Sequence, residues 1–330
     1  MSVRIGILSF AHMHAFSYAH QVTSIPEAVL VGVADHDLAR GRAMAEKFGA
    51  RCFDGYEDIL RADVDAVIVT SENFRHKDLV VMAAEAGKHV LCEKPISVSV
   101  PDAREMIDAC DRNGVKLMTA FPCRYHPAMV RLKEAIDGGC IGDVLAIKGT
   151  NRGRNPGGWF IDPKQSGGGA VMDHTVHVLD LMRWVLRCEA TEVYAEIGNA
   201  LYKGDYDDTG MLTVTFENGV FATIDTSWSR PNSFPTWGDV TMLITGTNGI
   251  VMLDMFAQNM VLYHGDSEKV EHVNWGSDID YGLIKDFVTT VGADVPVSIT
   301  GEDGLKAMEV ALGAYRSAQT GAPVKLPLGD

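Results

Sequence analysis

The chain has 330 residues, 46% hydrophobic and 22% charged, an ordinary globular composition that predicts about two domains. Its 44 Asp and Glu against 29 Lys and Arg give a net charge of −15, which argues against a nucleic-acid partner, since phosphates are neutralised by Lys and Arg. No apolar stretch reaches the ~18 residues that cross a bilayer, and the N-terminus becomes polar too early for a signal-peptide core. We therefore expect no membrane partner.

The cysteines are widely spaced and contain no CxxC pair. In so long a chain this pattern predicts reduced thiols in a cytoplasmic enzyme or binder rather than a disulfide framework. The six positions are Cys52, Cys92, Cys110, Cys123, Cys140 and Cys188.

The first 120 or so residues alternate between short apolar runs and helical patterns. The runs are rich in Val, Ile and Leu without strict alternation, as expected for parallel strands buried on both faces. Predicted strands cover residues 3–8, 29–33, 65–70, 89–92 and 116–120, and predicted helices cover 15–24, 37–48, 77–86 and 101–113. Ser99 is a plausible cap for the last of these helices, with Pro101 in its first turn. This order implies βαβ crossovers and a doubly wound α/β sheet of the Rossmann type.

The pattern changes after about residue 123. A helix at 127–137 is followed by β-rich runs at 211–216 and 220–225, and at 240–245 and 250–254, each pair joined through Asn-Gly. Asn-Gly between such runs is a strong hairpin signal. With helices near 170–187, 281–291 and 302–319, we predict two domains, 1–123 and 124–330. The second is an α+β domain on a mostly antiparallel open sheet, with the active site where the two domains meet.

The first βα turn is where a doubly wound sheet often holds a dinucleotide diphosphate. The usual glycine fingerprint is replaced here by a run in which all three glycines are absent. Helix N-terminal amides can hold phosphate without glycines, so the turn remains a candidate cofactor site. Its candidate residues are Ser9, Phe10, Ala11, His12 and Met13, followed by His14 at the third glycine position.

Asp35 ends the second predicted strand, where a carboxylate can accept hydrogen bonds from both ribose hydroxyls. It would also repel a 2′-phosphate, so it favours NAD over NADP. The alternative is that Asp35 only caps the helix that starts near Asp37.

Two further constellations carry candidate chemistry. Glu93-Lys94-Pro95 follows a buried strand at the edge where ligands bind, although a Glu-Lys pair alone is common. In the predicted helix around residue 177, a spacing of 100° per residue gives one polar face, formed by Asp173, His177, Asp180 and Trp184. The same spacing puts His174 in a separate apolar stripe. His177 is thus a candidate general base, His174 a packed histidine, and the three glycines before the helix suit a close approach of backbone to ligand.

A metal centre is the alternative for this helix, because Asp173, His174, His177 and Asp180 are ligand types and His12 and His14 could contribute. His174 is predicted to point about 100° away from the two carboxylates, and an HExxH spacing is absent. We therefore expect no metal.

With these residues in view, the chain resembles the Gfo/Idh/MocA family over nearly its whole length. The resemblance rests on Ala34-Asp35, the run 65–70, the run 86–95 that ends in Glu93-Lys94-Pro95, Asp173 with His177 and Asp180, and the segments 300–304 and 315–321. It implies an NAD(P)-dependent dehydrogenase of sugars, cyclitols or related polyols, with Lys94, Asp173 and His177 as the catalytic residues. It also implies a homodimer or homotetramer.

The strand-four loop departs from the family's usual Thr-Pro pair and passes close to where a nicotinamide would lie. Further cofactor-binding candidates are Thr70, Ser71, Asn73, His76, Glu93 and Lys94, and Glu72 or His76 could alter substrate choice.

We expect His177 to take the hydroxyl proton while Lys94 stabilises the alkoxide and Asp173 orients the imidazole or binds a neighbouring hydroxyl. Candidate substrate-binding residues are Arg124, Tyr125, Arg154, Asn155, Trp159 and Trp228, together with Asp173 and His177. Two other functions stay open: glycoside hydrolysis by transient oxidation with NAD, and a non-catalytic ligand sensor. Release of an aglycone without net NADH would indicate the hydrolase, and NAD binding without any redox change would indicate the sensor.

Overall fold

The protein is described here by a computed structural model, which covers residues 2–263, 269–274 and 276–329. It divides into two compact units. The first comprises Met1–Pro122, Asp162–Gly167 and Ile279–Met308, and the second comprises Cys123–Ile161, Gly168–Asp278 and Glu309–Asp330.

The strands and helices are numbered along the chain. The strands are β1 Val3–Leu8, β2 Ala28–Ala34, β3 Arg51–Phe53, β4 Ala66–Val69, β5 His89–Cys92, β6 Leu117–Thr119, β7 Val144–Gly153, β8 Ala190–Gly198, β9 Thr209–Phe216, β10 Phe221–Ser227, β11 Gly238–Gly246, β12 Gly249–Asp254, β13 Asn259–Tyr263, β14 Val270–Asn274 and β15 Val324–Lys325. The helices are α1 His14–Ser24, α2 Leu38–Phe48, α3 Tyr56–Arg61, α4 His76–Glu85, α5 Val100–Arg112, α6 Pro127–Asp137, α7 Pro163–Ser166, α8 Ala170–Leu186, α9 Ile279–Gly292 and α10 Gly301–Thr320. Short 3₁₀ turns cover Asn73–Arg75, Pro122–Tyr125 and Gly158–Ile161.

The sheet of the first unit has six parallel strands in the order β3-β2-β1-β4-β5-β6. Its central strand is fully buried at Ile5, Ile7 and Leu8 because helices cover both faces. The strand order reverses between β1 and β4, which is where doubly wound sheets bind ligands. The predicted fold class is confirmed, and so is the cap at Ser99, whose hydroxyl accepts the Asp102 amide at 3.2 Å.

The sheet of the second unit has seven strands in the order β12-β11-β7-β10-β9-β8-β15. Both predicted hairpins are present as the antiparallel pairs β9–β10 and β11–β12, and the β7–β10 pair is parallel. One face packs on α8, where a Cβ at Gly149 would lie 2.6 Å from both Met182 and Val178. The predicted open, mostly antiparallel sheet is confirmed.

The division of the chain differs from a single boundary at residue 123. The first unit ends at Pro122 but also includes residues 279–308. Helix α9 packs on α1 and β1, and the Thr119 hydroxyl donates to the Thr300 carbonyl at 3.0 Å. The Thr119–Thr300 contact joins residues 181 apart in the chain, and those of α9 join segments farther apart still, separations that local sequence patterns do not encode.

Candidate active site

The turn between β1 and α1 keeps the backbone shape of a glycine turn without its glycines. Ser9 has a φ of 75°, the left-handed region that glycine ordinarily serves. Its hydroxyl accepts the Ala11 amide at 3.1 Å, and its carbonyl accepts the Thr70 hydroxyl at 2.7 Å. The His12 amide donates to the Thr70 carbonyl at 3.0 Å, so the end of β4 supports this turn.

Asp35 lies at the end of β2 with its carboxylate fully buried. The Arg40 guanidinium binds both oxygens of this carboxylate, with Nε at 2.8 Å from Oδ2 and Nη2 at 2.7 Å from Oδ1. Oδ2 also accepts the Phe10 amide at 2.7 Å, and Oδ1 accepts the Asp37 amide at 2.9 Å. The hydrogen bond to Asp35 raises the pKa of Arg40 against the effect of burial. Asp37, not Asp35, caps α2 by accepting the Ala39 and Arg40 amides.

The loop after β4 is held by its own polar side chains. The buried His76 ring faces two carbonyls, with Nδ1 at 3.0 Å from Pro95 and Nε2 at 3.3 Å from Ser71. Burial lowers the pKa of His76 although those carbonyls favour its charged form. Asn73 donates to the Ser166 carbonyl at 2.8 Å. These contacts position the loop, and the contact of His76 with a cofactor stays a prediction.

Glu93 is fully buried at the end of β5. Its Oε1 lies 3.0 Å from His14 Nδ1 and 4.0 Å from His12 Nδ1, and its Oε2 accepts the Lys94 amide at 2.9 Å. Burial alone would raise the pKa of Glu93, but His12 and His14 hold it well below its usual range. The pKa of His14 is correspondingly raised by Glu93 against the effect of burial. Lys94 itself is 4% exposed, beside this group.

In the second unit, the N-terminus of α8 is bound by two distant side chains. The Asp207 carboxylate accepts the amides of Gly169 at 2.8 Å and Val171 at 2.7 Å. The Tyr315 hydroxyl accepts the amides of Gly169 at 3.1 Å and Met172 at 3.2 Å, and donates to Asp207 Oδ1 at 2.7 Å. Burial raises the pKa of both Asp207 and Tyr315.

This network explains the glycines before α8. A Cβ at Gly168 would lie 2.1 Å from the Tyr315 hydroxyl, and one at Gly169 would lie 2.0 Å from the Asp207 carbonyl. Both distances are far inside van der Waals contact. We expected a close approach of backbone to a ligand, but these two glycines admit the chain's own capping groups.

His177 is buried in α8 at 6% exposure, with Nδ1 3.9 Å from the Cys123 thiol. Asp173 Oδ2 accepts the Trp228 indole N–H at 3.2 Å and lies 3.2 Å from His174 Nε2. The prediction that His174 points away from Asp173 is wrong, because the imidazole reaches back across one residue. Trp228 is fully buried, so this candidate sugar-binding ring is a partner of Asp173 instead.

The other residue of the predicted polar face, Asp180, forms a buried two-pronged ion pair with Arg124, whose Nε lies 2.8 Å from Oδ2. The guanidinium also lies 5.7 Å from the Trp184 ring. Arg124 was a substrate-binding candidate, and its charge is already balanced here.

The remaining substrate-binding candidates lie around the turn after β7. Arg154 donates to the Phe234 carbonyl, Asn155 donates to the Tyr206 hydroxyl at 3.1 Å, and Trp159 stacks on Phe160 at 3.9 Å. Tyr125 lies in the 3₁₀ turn Pro122–Tyr125 and is partly exposed.

Features of the first unit fit a dinucleotide. The left-handed turn at Ser9 directs the backbone toward α1, whose first turn carries no acidic side chain. Met13 at the start of that helix is 58% exposed, and the buried carboxylate of Asp35 ends the neighbouring strand. This is the position at which a helix N-terminus and a strand-end carboxylate hold a diphosphate and a ribose. None of the helices in the described ranges is long and apolar enough to span a bilayer.

Comparison with known proteins agrees with these features. An oxidoreductase family with an NAD-binding Rossmann fold matches residues 3–121, and the GFO/IDH/MocA C-terminal domain matches residues 129–252. The chain is thus an oxidoreductase with an NAD-binding Rossmann domain. It belongs to the GFO/IDH/MocA family.

Relatives match over nearly the whole chain. The myo-inositol 2-dehydrogenase of Thermotoga maritima is 29% identical, covering 98% of this chain and 98% of its own. The 1,5-anhydro-D-fructose reductase of Ensifer adhaerens is 30% identical, covering 91% and 92%. The crystal structure of GenD2 from gentamicin A biosynthesis in complex with NAD superimposes with a TM-score of 0.91 at 26% identity, covering 99% of this chain and 97% of that one. Such relatives do not favour the glycoside hydrolase alternative.

Sequence reasoning missed three residues of this region. Arg40 carried a detectable signal, since it follows Asp35 by five positions at the start of a predicted helix. Asp207 and Tyr315 carried none, because they lie 38 and 146 residues from Gly169 and meet it only in the fold.

Proposed function

We propose that this protein is a dehydrogenase that interconverts a secondary alcohol and a ketone on a cyclitol or sugar, with NAD as cofactor. The observation that carries the proposal is the dinucleotide-type turn of the first unit, where Ser9 has a φ of 75° and Asp35 ends the neighbouring strand. The buried histidine on α8 of the second unit supplies a candidate base. Relatives named for myo-inositol and 1,5-anhydro-D-fructose support this class of substrate.

His177 is the proposed general acid and base. A bound nicotinamide would supply the hydride acceptor or donor. Because Nδ1 of His177 faces the Cys123 thiol, we assign the exchanged hydroxyl proton to Nε2. An imidazole suits this exchange because its ordinary pKa, about 6.5, lies near neutral pH.

Lys94 is proposed to donate a hydrogen bond to the same substrate oxygen and so stabilise the charge that develops on it. Its backbone amide is held by Glu93, which orients the end of β5. Asp173, held by Trp228 and His174, is proposed to bind a neighbouring substrate hydroxyl. The proposed cofactor-binding residues are the turn from Ser9 to Met13, Asp35, the loop residues Thr70, Ser71 and Asn73, and Glu93 with Lys94.

NAD is the preferred cofactor in this proposal because Asp35 would repel a 2′-phosphate. Arg40 weakens that preference, since its guanidinium is a ready partner for such a phosphate. We therefore propose that NAD binds more tightly than NADP but by a modest factor.

A homodimer or homotetramer is proposed from the open face of the second sheet. The face turned away from α8 exposes Met211 at 54%, Phe221 at 56%, Ile250 at 63% and Met252 at 76%. A set of exposed apolar side chains on one sheet face marks an association surface. Sedimentation of the wild type against Phe221→Asp tests this: the variant should shift toward the monomer, and an unchanged mass would exclude the face.

All six cysteines are free thiols, which supports the proposed cytoplasmic setting.

The proposal is tested by calorimetric titration with NAD and NADP, followed by a screen of inositols and aldoses for NADH absorbance. NAD binding with NADH formation from a cyclitol or sugar is expected. NAD binding without a redox change on any polyol would overturn the dehydrogenase. Release of an aglycone from a glycoside without net NADH would replace it with the hydrolase.

A further inference from the structure

Three side chains of metal-binding type meet at the start of α1. Two of them, His12 and Glu93, also belong to the proposed cofactor-binding set, but the proposed reaction gives the three no joint role. His12, His14 and Glu93 each offer one ligand atom, and these atoms all lie within 4.8 Å of one another. From the measured separations and the donor types, we propose that His12, His14 and Glu93 form a binding site for a first-row divalent transition-metal ion such as Zn²⁺.

The spacing is close to that of a bound site. Two ligands at about 2.1 Å from a tetrahedral zinc ion lie about 3.4 Å apart. The observed separations from Glu93 Oε1 are 3.0 Å to His14 Nδ1 and 4.0 Å to His12 Nδ1. Side-chain shifts of well under 1 Å would bring these two separations to the bound values.

The donors select the class of ion. Two imidazole nitrogens and one carboxylate suit zinc, iron, nickel or copper, whereas calcium and magnesium prefer oxygen donors. Three protein ligands leave a fourth position open. Of the three side chains, His14 is 31% exposed while His12 and Glu93 are 2% and 0% exposed, so solvent reaches the cluster at His14.

One surrounding hydrogen bond orients the carboxylate, and two others are made to the ligand nitrogens themselves, which a metal would take over. The Lys94 amide donates to Glu93 Oε2 and leaves Oε1 directed at the two imidazoles. His12 Nδ1 accepts the His14 amide at 3.1 Å, so that lone pair would pass from the amide to the metal. The Tyr18 hydroxyl lies 3.5 Å from His14 Nδ1.

The local charge favours a cation. Glu93 is a fully buried carboxylate, and buried charges are normally paired or coordinate metals. Lys94 opposes a cation here and Asp280 supports one. A metal would take the place of the proton that His14 shares with Glu93, and would hold the strand end that carries Lys94.

The test uses the full chain, freed of metal by a chelator and titrated with Co²⁺ and Zn²⁺ without NAD or polyol. Wild type is expected to bind one ion, with the visible absorption of protein-bound Co²⁺. His14→Asn and Glu93→Gln should each weaken binding by at least about 100-fold, because each changes one of three direct ligands and the loss of an outer-shell partner alone costs about 10- to 100-fold. His20→Asn is the matched control, since it removes an exposed imidazole from the same helix. Circular dichroism of each variant shows whether it is folded.

Two outcomes would overturn the site. Absence of tight Co²⁺ or Zn²⁺ binding by the wild type would mean that the cluster is an ion pair only. Equal binding by folded His14→Asn, Glu93→Gln and wild type would place any bound metal elsewhere. The site does not depend on the proposed function, because NAD binding and NADH formation are measured separately and either can fail alone.

Discussion

The N-termini of α1 and α8 look opposite in sequence and have opposite uses in the fold. The turn before α1 has lost its fingerprint glycines, yet Ser9 adopts the left-handed backbone that a glycine would provide. The segment before α8 has three glycines in a row, yet its amides are already bound by Asp207 and Tyr315. Glycines before a helix therefore indicate that another group packs closely against the backbone. The fold is needed to show whether that group is a ligand or another part of the protein.

The difference between the two helix N-termini also indicates that α1 and α8 have different roles. No acidic residue of α1 itself lies in its first turn, so its N-terminal end is suited to an external anion such as a diphosphate, whereas the cation proposed above would be held by Glu93 from the end of β5. The positive end of α8 is neutralised by the Asp207 carboxylate. This neutralisation leaves α8 to hold its histidine and carboxylates in place.

Asp207→Ala removes the anion at the start of α8 and should have the largest effect on stability. Three amide and hydroxyl donors lose their acceptor, so the free energy of unfolding should fall by about 2 kcal/mol. Urea unfolding measures this change, and Asp205→Ala is the matched control because Asp205 is exposed two residues away. Equal stability of the two variants would mean that the cap does not hold α8.

Arg40→Ala should sharpen the choice of cofactor at the α1 side. Without the guanidinium, Asp35 would meet a 2′-phosphate uncompensated, so the ratio of NADP to NAD affinity should fall about tenfold. Calorimetry with both nucleotides measures the ratio, with Arg42→Ala on the exposed side of α2 as control. A rise in relative NADP affinity would show that Arg40 is not the partner of the phosphate.

Acidification should weaken the loop that supports the α1 turn through His76. Burial lowers the folded pKa of His76 below its ordinary 6.5, so the unfolded chain binds the proton more readily. The stability from His76 is fully present above pH 6.5 and is lost as the pH falls from there toward the lowered pKa. Unfolding at about pH 8 and about pH 5 should show a larger loss in wild type than in His76→Gln. An equal loss would exclude His76 as the titrating group.

Ser9→Gly should have the smallest effect. Glycine relieves the strain of the left-handed backbone at this position. It also loses the hydroxyl that accepts the Ala11 amide, and it raises the conformational entropy of the unfolded chain. We expect a gain of about 0.5 kcal/mol in the free energy of unfolding. Ser9→Ala keeps the strained backbone and loses the hydroxyl, so it should be less stable than wild type. The reverse order of the two variants would contradict the role given to φ at this residue.

The sequence predicted the parts of the fold that repeat a local pattern. Strands such as β1 and β5 were predicted because they are short apolar runs, and the β9–β10 hairpin because Asn218-Gly219 is a turn signal. β3 and α3 were missed because three and six residues carry too little periodicity. β7 was missed because its lysine, asparagine and arginine interrupt the apolar pattern.

The candidate site was predictable one residue at a time but not as a set of partners. Asp35 and Glu93 were found at strand ends, where position alone points to ligand chemistry. Helical angles gave the wrong direction for His174 because they fix where a side chain leaves the helix but not where its far end lies, and the imidazole Nε2 reaches Asp173 at 3.2 Å. Partners such as Arg124 for Asp180 require the fold, since 56 residues separate them.

Proton exchange is proposed for His177 and cofactor binding for the first unit, and the variant His177→Asn separates these two roles. NADH formation from a cyclitol and the dissociation constant for NAD would be measured on the same preparation. For His177→Asn we expect a fall in kcat of about 10³-fold, with the NAD dissociation constant nearly unchanged. An unchanged kcat would contradict the assignment of the base, and a loss of NAD binding would contradict the assignment of the cofactor to the other unit.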